Sequence, residues 1–460
     1  MKIFTTKETE KTNRSRLKTW AGWLFCAIFW IGLWEFFYQA VDQEILIPSP
    51  VSVFYRLGDL VVTPVFWQTA LYSLWNVVLG LLWGTAAGVL TAVLISVSKV
   101  MSCLLRPVLA AAKATPVASF IILALVWISR VYVPSFIGGL IVFPVVCGNV
   151  AQGLRETDRS LLEKAQVFRI SKWRVFLYVV LPGIFPYFLS AMVTSLGLAW
   201  KAGIAAEVLC TPKGAIGTQL YNAKIYIETT DLFAWTFVVV ILSLLLEFAF
   251  VRLTRRFSLR IPLKARTKKE KSSEPVSEVP SLPPLTKHFG ERLVLDHFSL
   301  PVQAGRVTAL LGPSGEGKTT CLRIWAGLEI DDNGVTGTGT CAFLFQENRL
   351  LPGRTARENI LFVRQDADVD RLLELVELTD SADLPVEQLS GGMKRRVALA
   401  AMLAAPAPLV LLDEPFQGLD PALRDRVAAR VFEDLRGSAV VLVTHDPKEA
   451  EQFADEIVQM

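Results

Sequence analysis

Histidine is nearly missing from this 460-residue sequence, with three in all. A metal centre built on histidine therefore lacks its ligands. The six cysteines (Cys26, Cys103, Cys147, Cys210, Cys321, Cys341) are scattered, with no C-x-x-C pair. That spacing argues against a zinc site or a disulfide framework. Charged residues make up only 20% of the chain, and the formal net charge of +4 is too small to point to a nucleic-acid partner. There is no internal repeat. No small-residue cleavage site follows the first apolar run, Trp20–Phe37, so that run reads as a retained membrane span and not as a removed leader.

Apolar side chains are abundant instead. They form 52% of the chain, and the mean hydropathy is +0.43. Their distribution is lopsided: long uncharged runs fill Trp20 to Phe250, and charge gathers after Arg252. A membrane domain first and a water-facing domain second is the arrangement this predicts, with lipid as a partner of the first. Stretches near 20–40, 70–97, 104–128, 132–153, 176–200 and 231–253 have the length that a span requires. Basic residues crowd before the first (Lys2, Lys7, Lys11, Arg14, Arg16, Lys18), after the last (Arg252, Arg255, Arg256), and in the 154–175 loop (Arg155, Arg159, Lys164, Arg169, Lys172, Arg174). Positive charge marks the cytoplasmic side. An even number of spans, about six, with both ends in the cytoplasm of a cell's inner membrane, satisfies the pattern. Pro116, Pro134, Pro144, Pro182 and Pro186 fall in or near spans and read either as kinks absorbed by neighbouring helices or as the shape of a pathway. Lys201 and Glu207 lie near the outer end of the fifth span, where both interfacial placement and a functional role fit.

Residues 257–284, a basic run followed by SSEPVSEVPSLPP, cannot bury a core and read as a linker. From Leu285 onward short β-rich runs alternate with helical ones, the pattern of an α/β domain with a mostly parallel sheet. The organisation is thus 1–18 basic N-terminus, 19–256 all-α membrane domain, 257–284 linker and 285–460 α/β domain.

The α/β domain carries the chemistry. Gly312-Pro313-Ser314-Gly315-Glu316-Gly317-Lys318-Thr319-Thr320 follows a strand (Val307–Leu311) and opens a helix, the context a phosphate-binding loop needs. Its glycines let backbone N–H groups close around phosphate oxygens at a helix N-terminus. Lys318 is placed for the β- and γ-phosphates, and the Thr319 hydroxyl for Mg²⁺. Leu409–Asp413 is a buried strand ending in two carboxylates: Asp413 reaches the Mg²⁺ shell, and Glu414 is the candidate general base for an attacking water. ATP and Mg²⁺ are the implied ligands.

Leu389-Ser390-Gly391-Gly392-Met393 then resembles the LSGGQ signature of the ATP-binding cassette family, with Met393 in place of Gln. The resemblance covers 285–460. It implies that Ser390, Gly391 and Gly392 contact the γ-phosphate held by a second copy, so that two chains work as a homodimer. It also implies roles for Gln346 (FLFQE) as the loop glutamine that senses nucleotide and Mg²⁺, for Gly418-Leu419-Asp420 as the D-loop, for His445 as the switch histidine, and for Phe289 as the aromatic stacked on adenine, core packing being the other reading of Phe289. The Lys318-to-Gln346 interval is shorter than in typical members and the chain stops soon after the last motif, which predicts a trimmed antiparallel subdomain and no C-terminal regulatory domain.

In the membrane domain, Leu161-Leu-Glu163-Lys-Ala165 through Leu181-Pro182 resembles the EAA loop of binding-protein-dependent importers, whose short helix docks on the cassette. The family's glycine six residues after the Glu is Arg169 here, a departure that bears on the tight turn. LIPSPVSVF, KATPVASFIILALVWI, AWKAGIAAEVL and GAIGTQLYNAK look like permeases of the nitrate/sulfonate/taurine group. Import of a small anion such as a sulfonate or nitrate, or of a vitamin precursor, with a separate extracytoplasmic solute-binding protein, is what these resemblances imply. The alternative is an exporter half-transporter, which would need long cytoplasmic helical extensions between spans. A mechanical device acting outside the membrane would need a large external domain.

Overall fold

The computed structural model describes residues 22, 25–26, 28–254, 263, 279, 281–313, 315–337 and 340–460. The basic stretch 1–18, part of the first expected span, most of the linker 257–284 and Ser314 lie outside the described residues. Two compact units emerge: Met1–Arg155 with Ile184–Ser258, and Glu156–Gly183 with Leu259–Met460. The segment 156–183, between two spans in sequence, is thus part of the second unit.

The longer helices of the first half are, in order, α1 (Pro50–Val62), α2 (Pro64–Val97), α3 (Lys99–Ala114), α4 (Val117–Trp127), α5 (Val133–Arg155), α6 (Arg159–Val167), α7 (Leu181–Cys210), α8 (Ile216–Ile225) and α9 (Thr229–Thr254), with the short helical turns Lys172–Val175 and Phe176–Val180 leading into α7. Residues 28–41 are also helical. Among the described residues, four helices are long and apolar enough to cross a membrane: α2, α5, the run Lys172–Cys210 that contains α7, and α9. The stretch 104–128 is not one straight span. It is α3 plus α4, bent by 109° at Thr115, whose extended ψ of 130° ends α3. Pro116 follows, and a residue before proline is pushed out of the α region while proline itself offers no N–H to the turn before it.

Helices α2 and α5 pack through backbone. A Cβ on Gly84 would lie 2.5 Å from the Gly139 carbonyl oxygen, and one on Gly80 2.7 Å from that of Ser135. Small residues four apart let two helices approach this closely, and in lipid that contact replaces the missing hydrophobic drive. The core of this unit gathers Ala70, Val77, Val142, Val146, Val150, Ala199 and Trp200 around the pair.

In the second unit, β1 (Leu285–Phe289) and β2 (Arg292–Phe298) form a two-stranded antiparallel sheet. The main sheet has the order β4-β5-β6-β3-β7, built from β3 (Val307–Leu311), β4 (Cys341–Leu344), β5 (Leu409–Asp413), β6 (Ala439–Val443) and β7 (Glu456–Gln459). Every pairing in it is parallel. Strands β5 and β6 are buried at every residue, as a sheet covered on both faces requires. Helices α10 (Lys318–Trp325), α11 (Ala356–Val363), α12 (Val369–Leu375) and α13 (Gly391–Leu403) pack with this sheet. Because the strands run parallel, the chain leaves β3, β4, β5 and β6 at one edge. That edge is where open α/β sheets hold their ligands.

Candidate nucleotide site and its docked helix

Strand β3 delivers Gly312 to the sheet edge, and α10 begins at Lys318. Between them the loop turns through φ values of 90° at Gly315 and 106° at Gly317. A Cβ at Gly317 would lie 2.7 Å from a Val294 methyl, so both conformation and space demand glycine there. The Lys318 ammonium donates to the Gly312 and Pro313 carbonyls at 2.7 and 2.6 Å, which folds it over the loop. The Thr319 hydroxyl donates to Asp413 Oδ2 at 2.9 Å, joining the loop to the end of β5. These are two hard oxygen donors side by side, the kind of set that a Mg²⁺ ion accepts. Burial raises the Asp413 carboxyl above the usual range; the Thr319 hydroxyl opposes the rise and neighbouring Glu414 adds to it.

Glu414 follows Asp413 with φ 48°, a left-handed value for a non-glycine residue. Its N–H donates to the Val443 carbonyl at 2.9 Å. Its Oε1 lies 3.3 Å from Nδ1 of His445, while Oε2 is buried and, among the described residues, unpartnered. A cleft of about 350 Å³ brings together Phe289, Gly315, Gly317, Lys318, Thr319, Thr320, Gln346, Asp413 and Glu414. Phe289 is 51% exposed at its rim, outside the core. Ser390, Gly391 and Gly392 do not line this cleft. Ser390 caps α13, accepting from the Met393 N–H at 3.3 Å.

The residues that sequence reasoning passed over are arginines. Arg292 lines the cleft and donates to the Gly315 carbonyl at 3.0 Å. Arg395 on α13 is 3% exposed. It donates to the carbonyls of Phe345 (2.6 Å), Gln346 (3.0 Å), Glu414 (2.7 Å) and Pro415 (3.1 Å), and to that of Asp413. Burial pushes its guanidinium down to about 10. Its only signal in sequence is a charge two residues before the buried Val397, within a basic run where nothing marks which residue turns inward.

In the same unit, α6 is capped by Asp158, which accepts from Ser160 N–H at 2.8 Å. Glu163 on α6 accepts a forked pair of bonds from Arg323 at 2.9 and 3.0 Å and one from Arg349 at 2.8 Å. The Arg323 pair, on the helix that begins at Lys318, is the main reason the Glu163 carboxyl is held below its ordinary range. Lys164 is 4% exposed and donates to the Arg349 carbonyl at 3.1 Å; burial pushes its ammonium down to about 8. Ala165 is buried against Ile170, Leu351 and Phe362. Arg169 takes φ 48°. Its N–H bonds the Gln166 carbonyl at 3.1 Å and that of Ile170 bonds Ala165 at 2.9 Å. This is the paired closure of a helix C-terminus for which glycine is preferred. The turn forms around arginine in left-handed strain.

Comparison with known proteins agrees with this geometry. Residues 295–417 match the family described as ABC transporter. Residues 84–261 match the family described as binding-protein-dependent transport system inner membrane component. The sulfate/thiosulfate import ATP-binding protein CysA of Thermosynechococcus vestitus is 40% identical over 200 residues, 38% of this chain and 59% of that protein. The protein of the same name from Escherichia coli K12 is 41% identical over 204 residues, 38% of this chain and 56% of that protein. The chain thus spans less than two thirds of the curated relatives it matches. A solved ATP-binding subunit of an ABC transporter is 25% identical, with a TM-score of 0.35 over 39% of this chain and 84% of that one. A single polypeptide thus carries a helical segment similar to the inner membrane components of binding-protein-dependent transport systems and a domain similar to ABC transporter ATPases.

Proposed function

We propose that the chain is a fused half-transporter that uses ATP hydrolysis to take up a small anion across the cytoplasmic membrane. Two copies form the working unit, and a separate extracytoplasmic binding protein delivers the solute. The observation that carries the reading is the Glu163 cluster. A helix from the loop between two spans is fixed by paired charges to Arg323, on the helix behind the phosphate loop, and to Arg349, three residues past Gln346. A permease loop held there can feel what the nucleotide does.

Lys318 and the loop N–H groups bind the β- and γ-phosphates in this reading, and Phe289 meets the adenine. Thr319, Asp413 and Gln346 would hold Mg²⁺, which when bound would neutralise phosphate charge. Glu414 accepts a proton from water, and His445, 3.3 Å from Glu414 Oε1, takes the switch position that the resemblance sets at the γ-phosphate. Ser390, Gly391 and Gly392 of one copy complete the site of the other. An anionic solute fits the import relatives, whose names specify sulfate and thiosulfate. It also fits Lys113 and Lys201, exposed cations on α3 and α7, since ionisable residues within spans mark solute paths. The N-terminus and cassette face the cytoplasm, following the basic flanks.

The test is uptake of labelled sulfate, thiosulfate, nitrate and an alkanesulfonate into proteoliposomes. Expected is accumulation that requires ATP on the cassette side and a solute-loaded binding protein on the other. ATP-driven efflux from the cassette side with no binding protein present would overturn the import reading.

A further inference from the structure

Arg395 is buried on α13, yet among the described residues its guanidinium hydrogen-bonds no carboxylate side chain. Its bonds go to the carbonyls of two segments, Phe345–Gln346 after β4 and Asp413–Pro415 after β5, with Asn348 Oδ1 at 3.5 Å. Strands β4 and β5 pair as far as Leu344 and Leu412. Beyond that point the two chains part, and their carbonyls would be left in a dry interior without donors. A planar fork of five N–H groups is the one side chain that can serve both at once.

Each segment that Arg395 holds has a second attachment. The Phe345 ring lies under the Arg349 guanidinium, 3.6 Å from its central carbon. Arg349 in turn bonds Glu163 at 2.8 Å, and its carbonyl accepts from Lys164 at 3.1 Å. On the other side, the Glu414 carbonyl that Arg395 grips belongs to a residue with left-handed φ and a buried, unpartnered Oε2. The backbone of Glu414 is therefore strained, and a donor at its carbonyl fixes where its carboxylate points. Contacts run without a gap from α6 through Arg349, Phe345 and Arg395 to Glu414.

We propose that Arg395 is a positioning residue that passes the docked state of α6 to Glu414. When α6 shifts, Arg349 moves the Phe345 and Gln346 carbonyls, and the same guanidinium that follows them resets the Glu414 backbone. The inference rests on the reading of Glu414 as general base given above. A merely structural staple would instead cost stability with no link between the two ends.

The test is a double-mutant cycle on the full chain in nanodiscs, with R349A, R395Q and the pair; R395K replaces R395Q should the latter not fold. Three quantities are followed: affinity for a fluorescent ATP analogue, phosphate release, and deuterium uptake in a peptide covering 413–417. R395Q is expected to lower kcat at least about 10-fold with analogue affinity within about 2-fold, and R395K to restore part of it. R349A is expected to raise uptake at 413–417 when Arg395 is present and to leave it unchanged in the R395Q background, a non-additivity that only coupled residues give. Equal responses to R349A in both backgrounds would overturn the relay. The exchange measurement reads the relay independently of hydrolysis, so a wild-type chain that binds ATP without releasing phosphate would count against the Glu414 reading alone.

Discussion

Single residues decide the two chemical questions this chain poses. Glu414 has one oxygen against His445 and, among the described residues, the other buried without a partner, a geometry that fits the proposed role of proton acceptor. Glu414→Gln keeps size and shape. It is expected to retain ATP while releasing phosphate at least about 100-fold more slowly, the range for a lost general base. Near-normal release by that variant would remove Glu414 from the role. Lys164 is a different case, a buried ammonium whose pKa falls to about 8 from an ordinary 10.5. Between those values the folded chain holds fewer protons than the unfolded one. Stability therefore rises with pH across that window, and the full penalty of the buried charge applies below pH 8. Lys164→Met removes the titrating group. The difference in Tm between variant and wild type is thus expected to favour the variant at pH 7 and to shrink as pH climbs from 8 towards 10.5. A difference that stays constant with pH would show that Lys164 is not buried as a cation.

At the scale of elements, the C-terminus of α6 is the sharpest case. Arg169 sits where glycine is preferred, with the closing bonds in place but φ at 48°. Left-handed backbone costs a residue with a Cβ roughly 1–2 kcal/mol, and a β-branched side chain more. The expected order of Tm is Arg169→Gly above wild type above Arg169→Val; a valine variant as stable as wild type would show that the turn relaxes. The sequence already marked this position, because the departure from glycine was visible. It did not reveal whether the turn survives, since that depends on bonds that Gln166 and Ala165 make only once folded. The same divide runs through the chain. The strand–loop–helix around Lys318 and the strand ending at Asp413 were legible because local pattern and motif agree. The break at Thr115 was signalled by Pro116, but proline within a span is consistent with a mild kink as well as with a 109° bend. Arg395 was not legible at all, because its meaning lies in carbonyls about 20 and 50 residues away in sequence. Segment 156–183 joins the unit of 259–460 through pairs such as Glu163 with Arg323, 160 positions apart. A linear reading of domain boundaries has no way to express that.

For the whole molecule, the decisive fact is what the nucleotide cleft lacks. Its lining holds the phosphate loop, Gln346, Asp413 and Glu414, while Ser390 and Gly391, at the start of α13, stand apart from it. The resemblance assigns those residues to the γ-phosphate, and within one chain they do not reach that cleft. The proposed second copy, set head to tail, would bring each signature to the partner's Lys318 and form two sites across one interface. Such an interface uses the same surface from both copies, so its symmetry predicts a specific complementation. Lys318→Ala chains cannot hold phosphate, and Ser390→Arg chains cannot complete a neighbour's site. Each variant alone is expected to be inactive. In a mixed dimer one interface site loses both elements, while the other keeps an intact Lys318 and an intact Ser390. Co-expression with two affinity tags, followed by tandem purification, isolates that mixed species. Its phosphate release is expected to recover to about half the wild-type rate, one of the two sites being intact. Full activity from chains shown to be monomeric would sink the composite-site reading, as would a mixed dimer no more active than either parent.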